Sequence, residues 1–241
     1  MQIEPVGVIE SCFKEKFGIP RQPGLVEAAC ASLRLLPPYD RAEAVRGLEG
    51  FSHVWLIFGF HATAAQGWRP TVRPPRLGGN ARLGVFATRS TFRPNPLGLS
   101  VVRLLDIDTR RGVQLQLAGG DLLNGTPVYD IKPYLPYADA LSEAVGGFAP
   151  DGPARPLPVR FSAEAELQLR KWQSDDRPGL RELICGVLAA DPRPAYRGEE
   201  AGGREYGVRL FDLDVRWRML HGEVEVIALV RVAGCQAGKG T

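Results

Sequence analysis

The stretch Thr88-Arg89-Ser90-Thr91-Phe92-Arg93-Pro94-Asn95-Pro96-Leu97-Gly98 gathers two guanidinium groups, hydroxyls, an amide and an aromatic ring around two prolines. That much hydrogen-bonding capacity on a constrained backbone fits a binding site better than a solvated turn. Pro20-Arg21-Gln22-Pro23-Gly24-Leu25 is a second polar, proline-marked loop, which by itself reads first as a surface turn and second as a site. Its prolines restrict the chain and its glycine frees it, so polar side chains and backbone groups sit on a rigid frame. His61 closes an otherwise apolar run, where a histidine is either a satisfied structural group or one that faces a ligand. Gly119-Gly120-Asp121 and Asp130-Ile131-Lys132-Pro133-Tyr134 place carboxylates near strand ends. Asp130 and Lys132 read as an ion pair or as groups that move a proton, and composition does not decide between them.

Several familiar active sites are excluded. No Gly-x-Gly-x-x-Gly follows a strand, which argues against a nucleotide bound in the Rossmann manner. Gly238-Lys239-Gly240-Thr241 lacks the strand and helix that frame a phosphate loop. His53, His61 and His221 have no metal-ligand spacing, so no metal is expected. A hydrolytic serine elbow is absent too.

Charge is distributed unevenly. Between Glu49 and Asp106 there is no acidic residue, yet the segment carries Arg69, Arg73, Arg76, Arg82, Arg89, Arg93 and Arg103. With a net charge of +3 for the whole chain, that +7 leaves −4 for the remainder (3 − 7). Such a block binds an anion or faces acids on its own surface. Guanidinium groups fork onto phosphate and stack on bases, as contact with RNA requires. The chain as a whole prefers Arg (25) to Lys (5), which weakens the argument from arginine but does not explain the missing acids.

The elements that must hold these residues are mostly strands at first. Strands are predicted at Val6–Ile9, Ser52–His61, Gly84–Thr88, Ser100–Leu105, Val113–Leu117 and Val128–Ile131, with turns at Thr109–Gly112 and Asn124-Gly125. Arg69 to Asn80, broken by Pro70, Pro74 and Pro75, is neither a regular helix nor a central strand. Strands this closely spaced leave no room for helical crossovers, so residues 1–145 are expected to form an antiparallel β-barrel. A Gly- and Pro-rich linker, 146–158, leads to a small α+β domain, 159–233. In it Ser162 caps a helix to about Trp172, and Pro178 opens another to about Ala190. Phe211 to Met219 and Val224 to Val232 alternate as a hairpin around His221-Gly222, and residues 234–241 form a tail. The fold class is therefore mainly β with a small α+β appendage.

With 44% apolar and 24% charged residues in 241, disorder is excluded, and no apolar run approaches the roughly 20 residues of a membrane span. The N-terminus shows no secretory pattern. Cys12, Cys30, Cys185 and Cys235 are scattered, without metal or disulfide spacing, and read as reduced, mostly buried thiols. The expected location is the cytoplasm, with no membrane partner.

The loops named above, together with Val45-Arg46-Gly47-Leu48-Glu49, Trp68 to Arg76, Gly84 to Ser90 and Asp191-Pro192-Arg193-Pro194-Ala195-Tyr196, resemble the TsaA/TrmO family. The resemblance runs from about Val6 to Val230. It implies an S-adenosylmethionine-dependent tRNA methyltransferase built on a β-barrel and acting as a homodimer. The implied target is N6 of threonylcarbamoyladenosine, next to the anticodon in the stem-loop of threonine tRNA. Matching positions imply a cofactor pocket from Arg21, Gln22, Pro23, Gly24, Leu25, His61, Ala62, Arg89, Leu99, Ala118, Gly119, Gly120 and Asp121. At Ala62 many relatives carry a longer polar residue, so only its backbone is expected to take part.

Transfer of a methyl group from a sulfonium needs alignment and exclusion of water. The urea-type N6 is a poor nucleophile, so a base or cation that favours its anion would help. Asp130, Lys132 and Tyr134 are the candidates for that work. Arg69, Arg73, Arg76, Arg93, Arg193 and Arg197 are the candidates for RNA phosphates. The alternative is a sensor or adaptor that binds S-adenosylmethionine on the same barrel without turnover.

Overall fold

The computed structural model describes residues 2–78, 80–152, 156–174, 177–193 and 204–232. In chain order the first part carries β1 (Gly7–Ser11), β2 (Ala31–Leu35), β3 (His53–Gly59), α1 (His61–Ala64), β4 (Thr71–Val72), β5 (Leu83–Gly84), β6 (Leu97–Asp108), β7 (Gln114–Ala118), β8 (Pro127–Pro133) and α2 (Pro136–Asp139). A closed barrel forms in the order β1-β2-β7-β6-β3-β8, and each neighbouring pair is antiparallel.

Period-two alternation explains the closure. Along β3, Val54, Leu56 and Phe58 are buried inside while His53, Trp55 and Ile57 face outward. Ile9, Leu33, Val102, Leu115, Leu117 and Val128 fill the same interior from the other strands. Each fully buried side chain of this size contributes about 1.5–3 kcal/mol. Gly98 is required there, because a Cβ on it would lie 2.3 Å from Cζ of Phe58.

Some local expectations give way. β2 carries little sequence signal of its own and exists because it bridges β1 and β7. Gly84–Thr88 is not a strand: β5 stops at Gly84 and Val85–Ala87 winds into a 3-10 turn. The β4–β5 ribbon stands apart from the barrel as a two-stranded sheet.

The second part carries β9 (Val159–Phe161), α3 (Ala163–Trp172), α4 (Leu180–Ala189), β10 (Glu205–Leu210), β11 (Leu213–Leu220) and β12 (Glu223–Arg231). Ser162 caps α3 as expected, its Oγ accepting from the Ala165 N–H at 3.1 Å. The sheet order is β10-β11-β12-β9, with the short β9 parallel to β12. Phe211, expected inside a strand, instead turns the chain between β10 and β11 at φ 55.

The segment between β1 and β2 does not belong to the barrel interior. Its Cys12, Phe13, Val26 and Ala29 are buried with Leu183, Val187, Val208 and Trp217 in the core of the second part. A Cβ on Gly186 would lie 2.7 Å from Cγ1 of Val26, and the Phe211 N–H donates to the Cys12 carbonyl at 2.7 Å. Burial pushes the Cys12 thiol up to about 12. Cys30 and Cys185 are unpaired and half-buried, and Cys235 lies outside the described residues together with the rest of the tail. Among the described residues no helix is long and apolar enough to cross a membrane.

Candidate active site and nucleic-acid interface

The loop at residues 20–25 is held at both ends by the second core, through Phe17 and Ile19 before it and Val26 after it. Its tip crosses to the barrel. Gly24, at φ +78, donates its N–H to the Gly119 carbonyl at 2.8 Å, and Gly120 donates to the Ala29 carbonyl at 3.2 Å. Gly119 is itself at φ +69, and a Cβ there would lie 3.4 Å from the Gly24 Cα. Two glycines thus let two backbones meet where Ala118 ends β7.

Polar side chains gather at the same junction. Arg89 donates to the Gln22 side-chain oxygen, fastening the 88–98 stretch to the loop. Asp121 is half-buried and accepts from Ser100 Oγ at 2.8 Å. Burial raises its carboxyl above the ordinary range; the Ser100 hydroxyl, its own backbone and the nearby Arg89 charge oppose that shift. Arg21 turns away, its Nη2 donating to the Arg193 carbonyl at 3.5 Å. Pro23 is half-buried and Leu25 exposed.

His61 and Ala62 sit one step removed. Instead of ending β3, His61 opens α1 and is exposed, and among the described residues it has no hydrogen bond to the 20–25 or 118–121 loops. The Ala62 carbonyl accepts from Lys16 Nζ at 2.8 Å, which ties α1 to the segment that leads into the loop. The contact expected at Ala62 through its backbone therefore has an internal donor in place.

Leu99 lies on the outer wall of β6, 55% exposed, opposite Ile57. Ile57 in turn pairs with Asp130, so Leu99, Ile57 and Asp130 form one row across three strands. At about 4.7–4.9 Å per strand the outer two are roughly 10 Å apart. On the same wall Lys132 Nζ is 3.4 Å from Asp130 Oδ2, both side chains being exposed. The Tyr134 ring packs at 5.9 Å from Trp55, whose Nε1 donates to Asp139 at 3.0 Å. Asp130, Lys132 and Tyr134 thus lie along β8 and its end, on strands that share a wall with Leu99, and among the described residues none of them is hydrogen-bonded to the Gly24–Gly119 junction.

The arginines divide by role. Arg73 and Arg82 are exposed and make no hydrogen bond or ion pair among the described residues. Arg69 lies 4.5 Å over the Phe92 ring, and Arg76 donates to the Asp151 carbonyl at 2.7 Å. Arg93 is spent internally, donating to the Thr88 carbonyl at 2.8 Å and the Val85 carbonyl at 3.3 Å. Arg193 requires a correction: it is only 9% exposed and makes a two-pronged ion pair with Asp191, at 2.7 Å through each of Nε and Nη2. A guanidinium held this way braces the protein and does not reach for phosphate. Arg197 lies outside the described residues.

The chain matches the tRNA-methyltransferase O N-terminal domain over residues 8–140 and the TrmO C-terminal domain over residues 154–232. It belongs to the TrmO family. A tRNA (adenine(37)-N6)-methyltransferase of Escherichia coli is 55% identical over 229 residues, 95% of this chain and 97% of that protein. A putative S-adenosylmethionine-dependent methyltransferase, RcsF, of Pseudomonas aeruginosa is 53% identical over 232 residues, 96% of this chain and 97% of that one. A crystal structure of TrmO from Pseudomonas aeruginosa superposes with a TM-score of 0.81 at 44% identity, covering 95% of this chain and 98% of that one.

Some side chains around these loops carry no sequence signal of a binding role. Ser100 orients Asp121 from inside the barrel, and nothing but strand period marks it. Lys16 binds α1 from a segment without motif. Trp68 (55% exposed) and Phe86 (74%) stand out of the arginine-rich segment as open aromatic rings. In a strand over Gly84–Thr88 Phe86 would be one more sheet residue; in the observed turn it stands outward.

Proposed function

We propose that this chain is an S-adenosylmethionine-dependent methyltransferase that acts on N6 of threonylcarbamoyladenosine beside the anticodon of threonine tRNA, as a homodimer in the cytoplasm. The observation that carries this reading is the junction itself: Gly24 on Gly119, Arg89 on Gln22, and a half-buried Asp121 beside them. The relatives' names supply the reaction class.

The residues fit the cofactor. Space is open at Gly24, where an added Cβ would meet nothing within 4 Å. Leu25 is an exposed apolar side chain suited to cover a ring, and the Asp121 carboxylate suits an ammonium or sulfonium. When bound, S-adenosylmethionine supplies an electrophilic methyl group. The loop at 20–25 and the 118–121 turn hold their backbone groups at fixed positions, and Arg89 locks Gln22 beside them. Asp130, with Lys132 at 3.4 Å, is the candidate to take the N6 proton, and Tyr134 to steady the substrate's urea group. Leu99 and Leu105, both exposed on the outer wall of β6, support a second copy against that wall, where Asp130 also lies.

The test uses purified protein, labelled S-adenosylmethionine, and threonine tRNA with and without the threonylcarbamoyl group. Transfer only to the modified tRNA is expected. Cofactor binding with transfer to neither would make the chain a sensor.

A further inference from the structure

A nitrogen on a base edge can be methylated only when that edge is reachable, so the target base must leave its stack and something must replace the lost stacking. Phe86 is built for this. Phe86 is 74% exposed, yet the backbone of its neighbours Val85 and Thr88 is hydrogen-bonded in place. Val85, beside it, is buried, and the Val85 N–H donates to the Pro70 carbonyl at 3.0 Å. The Val85 carbonyl accepts from the Thr88 N–H at 3.1 Å and from Thr88 Oγ1 at 2.9 Å. Arg93 closes the turn through the Thr88 carbonyl, and its guanidinium lies 5.7 Å from the centroid of the Phe86 ring. A side chain left to find its own place would not need this scaffold.

The surroundings select the occupant. No acid lies between Glu49 and Asp106, and Arg73 and Arg82 stand exposed on the ribbon that ends at Gly84. An apolar protein surface would have to bury those charges, whereas RNA brings phosphates to them along with the base. Arg89, three residues on, is fastened to Gln22 at the junction, so the ring and the candidate cofactor loop share one short, rigid stretch of chain.

We propose that the target purine of the RNA stacks on the Phe86 ring, making Phe86 a positioning residue for the base. This rests on the methyltransferase reading above. The base meets the open face, and the cation of Arg93 at the ring strengthens the aromatic support.

The experiment compares Phe86→Ala, Phe86→Leu and Phe86→Trp with the unaltered protein, by steady-state kinetics with modified threonine tRNA and by filter binding of the same tRNA without turnover. Calorimetry with S-adenosylmethionine and light scattering serve as controls. The expected result is a KM for tRNA raised about tenfold to a hundredfold in the Ala and Leu variants, with the tRNA Kd rising alongside. Phe86→Trp stays within a few-fold of the unaltered protein, and the Kd for S-adenosylmethionine does not move. Leu performing like Phe would overturn the proposal, since a stacking surface needs a ring. So would an equal loss of cofactor affinity, or a change in oligomeric state that shows the ring covering a second copy. If the unaltered protein transfers no methyl group, the methyltransferase reading fails by itself. The binding arm then judges the stacking role, and equal tRNA affinity in all variants rejects it.

Discussion

Gly24 and Gly119 meet backbone to backbone, an N–H on a carbonyl at 2.8 Å, each glycine at a positive φ that a side chain would strain. Gly24→Ala is expected to cost about 1–2 kcal/mol of stability from φ alone. Its added methyl points into open space, where the proposed cofactor would lie. The Kd for S-adenosylmethionine, measured well below the melting transition, should rise about tenfold or beyond when a methyl group occupies the cradle. Calorimetry beside a melting curve checks this, and an unaltered Kd would remove the junction from the cofactor site.

Asp121 carries opposite consequences for stability and for binding. Burial raises its pKa, so the native chain holds its proton more tightly than the unfolded chain does. Ionisation therefore takes stability away as pH rises through that raised value. Asp121→Asn keeps an oxygen for Ser100 and removes the ionisation, so its Tm at neutral pH should equal or exceed that of the unaltered protein. Affinity for the cationic cofactor should fall about tenfold, as loss of a charge-assisted contact implies. In the unaltered protein that affinity should weaken as pH falls through the carboxyl's raised pKa, while the variant stays flat. A pH series of binding titrations measures both.

Much of this was legible in the residues, and the rest failed for identifiable reasons. The Ser52–His61 run reads as a strand from its aromatic and β-branched content, but Val54-Trp55-Leu56-Ile57-Phe58 is unbroken apolar sequence and does not reveal that Trp55 and Ile57 face outward. The glycines and prolines around Gly24 and Gly119 mark loops, but no pattern says that those loops meet; the meeting depends on the closure of β1, β2 and β7. Phe86 was hidden because Gly84-Val85-Phe86-Ala87-Thr88 has the composition of a strand, while Val85 alone finds burial. Arg193 looked free because its partner, Asp191, stands only two residues away and pairs with it through a turn at φ 47. The packing of Val26 into the second core is a long-range fact that no local window contains.

That packing has a functional reading. Gly186 on α4 leaves room for Val26, one residue beyond Leu25, and a Cβ there would come within 2.7 Å of it. Gly186→Ala should lower stability by about 1–3 kcal/mol, the range for an overfilled core. It should also weaken S-adenosylmethionine binding several-fold, by displacing the foot of the 20–25 loop. Comparing the Kd well below the melting transition separates the two effects. Lost stability with full affinity would mean that the second core does not set the loop.

Asp130→Asn keeps the side chain's size and the acceptor used by the Ile131 N–H at 2.9 Å, while removing the base. S-adenosylmethionine affinity should be unaffected, because Asp130 lies across Ile57 from Leu99 and away from the junction. Turnover should fall by about 10²–10⁴, the span typical of a lost general base. Single-turnover rates with saturating tRNA measure it. Full turnover would leave Asp130 as no more than the partner of Lys132.

The arginine segment should show itself in salt. Each phosphate contact steepens the fall of log affinity with log salt by about 0.7–0.9. Arg73→Ala and Arg82→Ala should each weaken tRNA binding and flatten that slope by about one contact, since neither guanidinium has an internal partner among the described residues. Arg93→Ala should act differently. It removes the donor to the Thr88 and Val85 carbonyls and releases the turn beneath Phe86, so affinity falls with a slope change too small to account for it. Arg193→Ala should lower Tm and leave the slope alone, because its charge is already neutralised by Asp191. A salt titration of the four variants ranks them, and an identical slope in all four would mean that these arginines do not touch the RNA backbone.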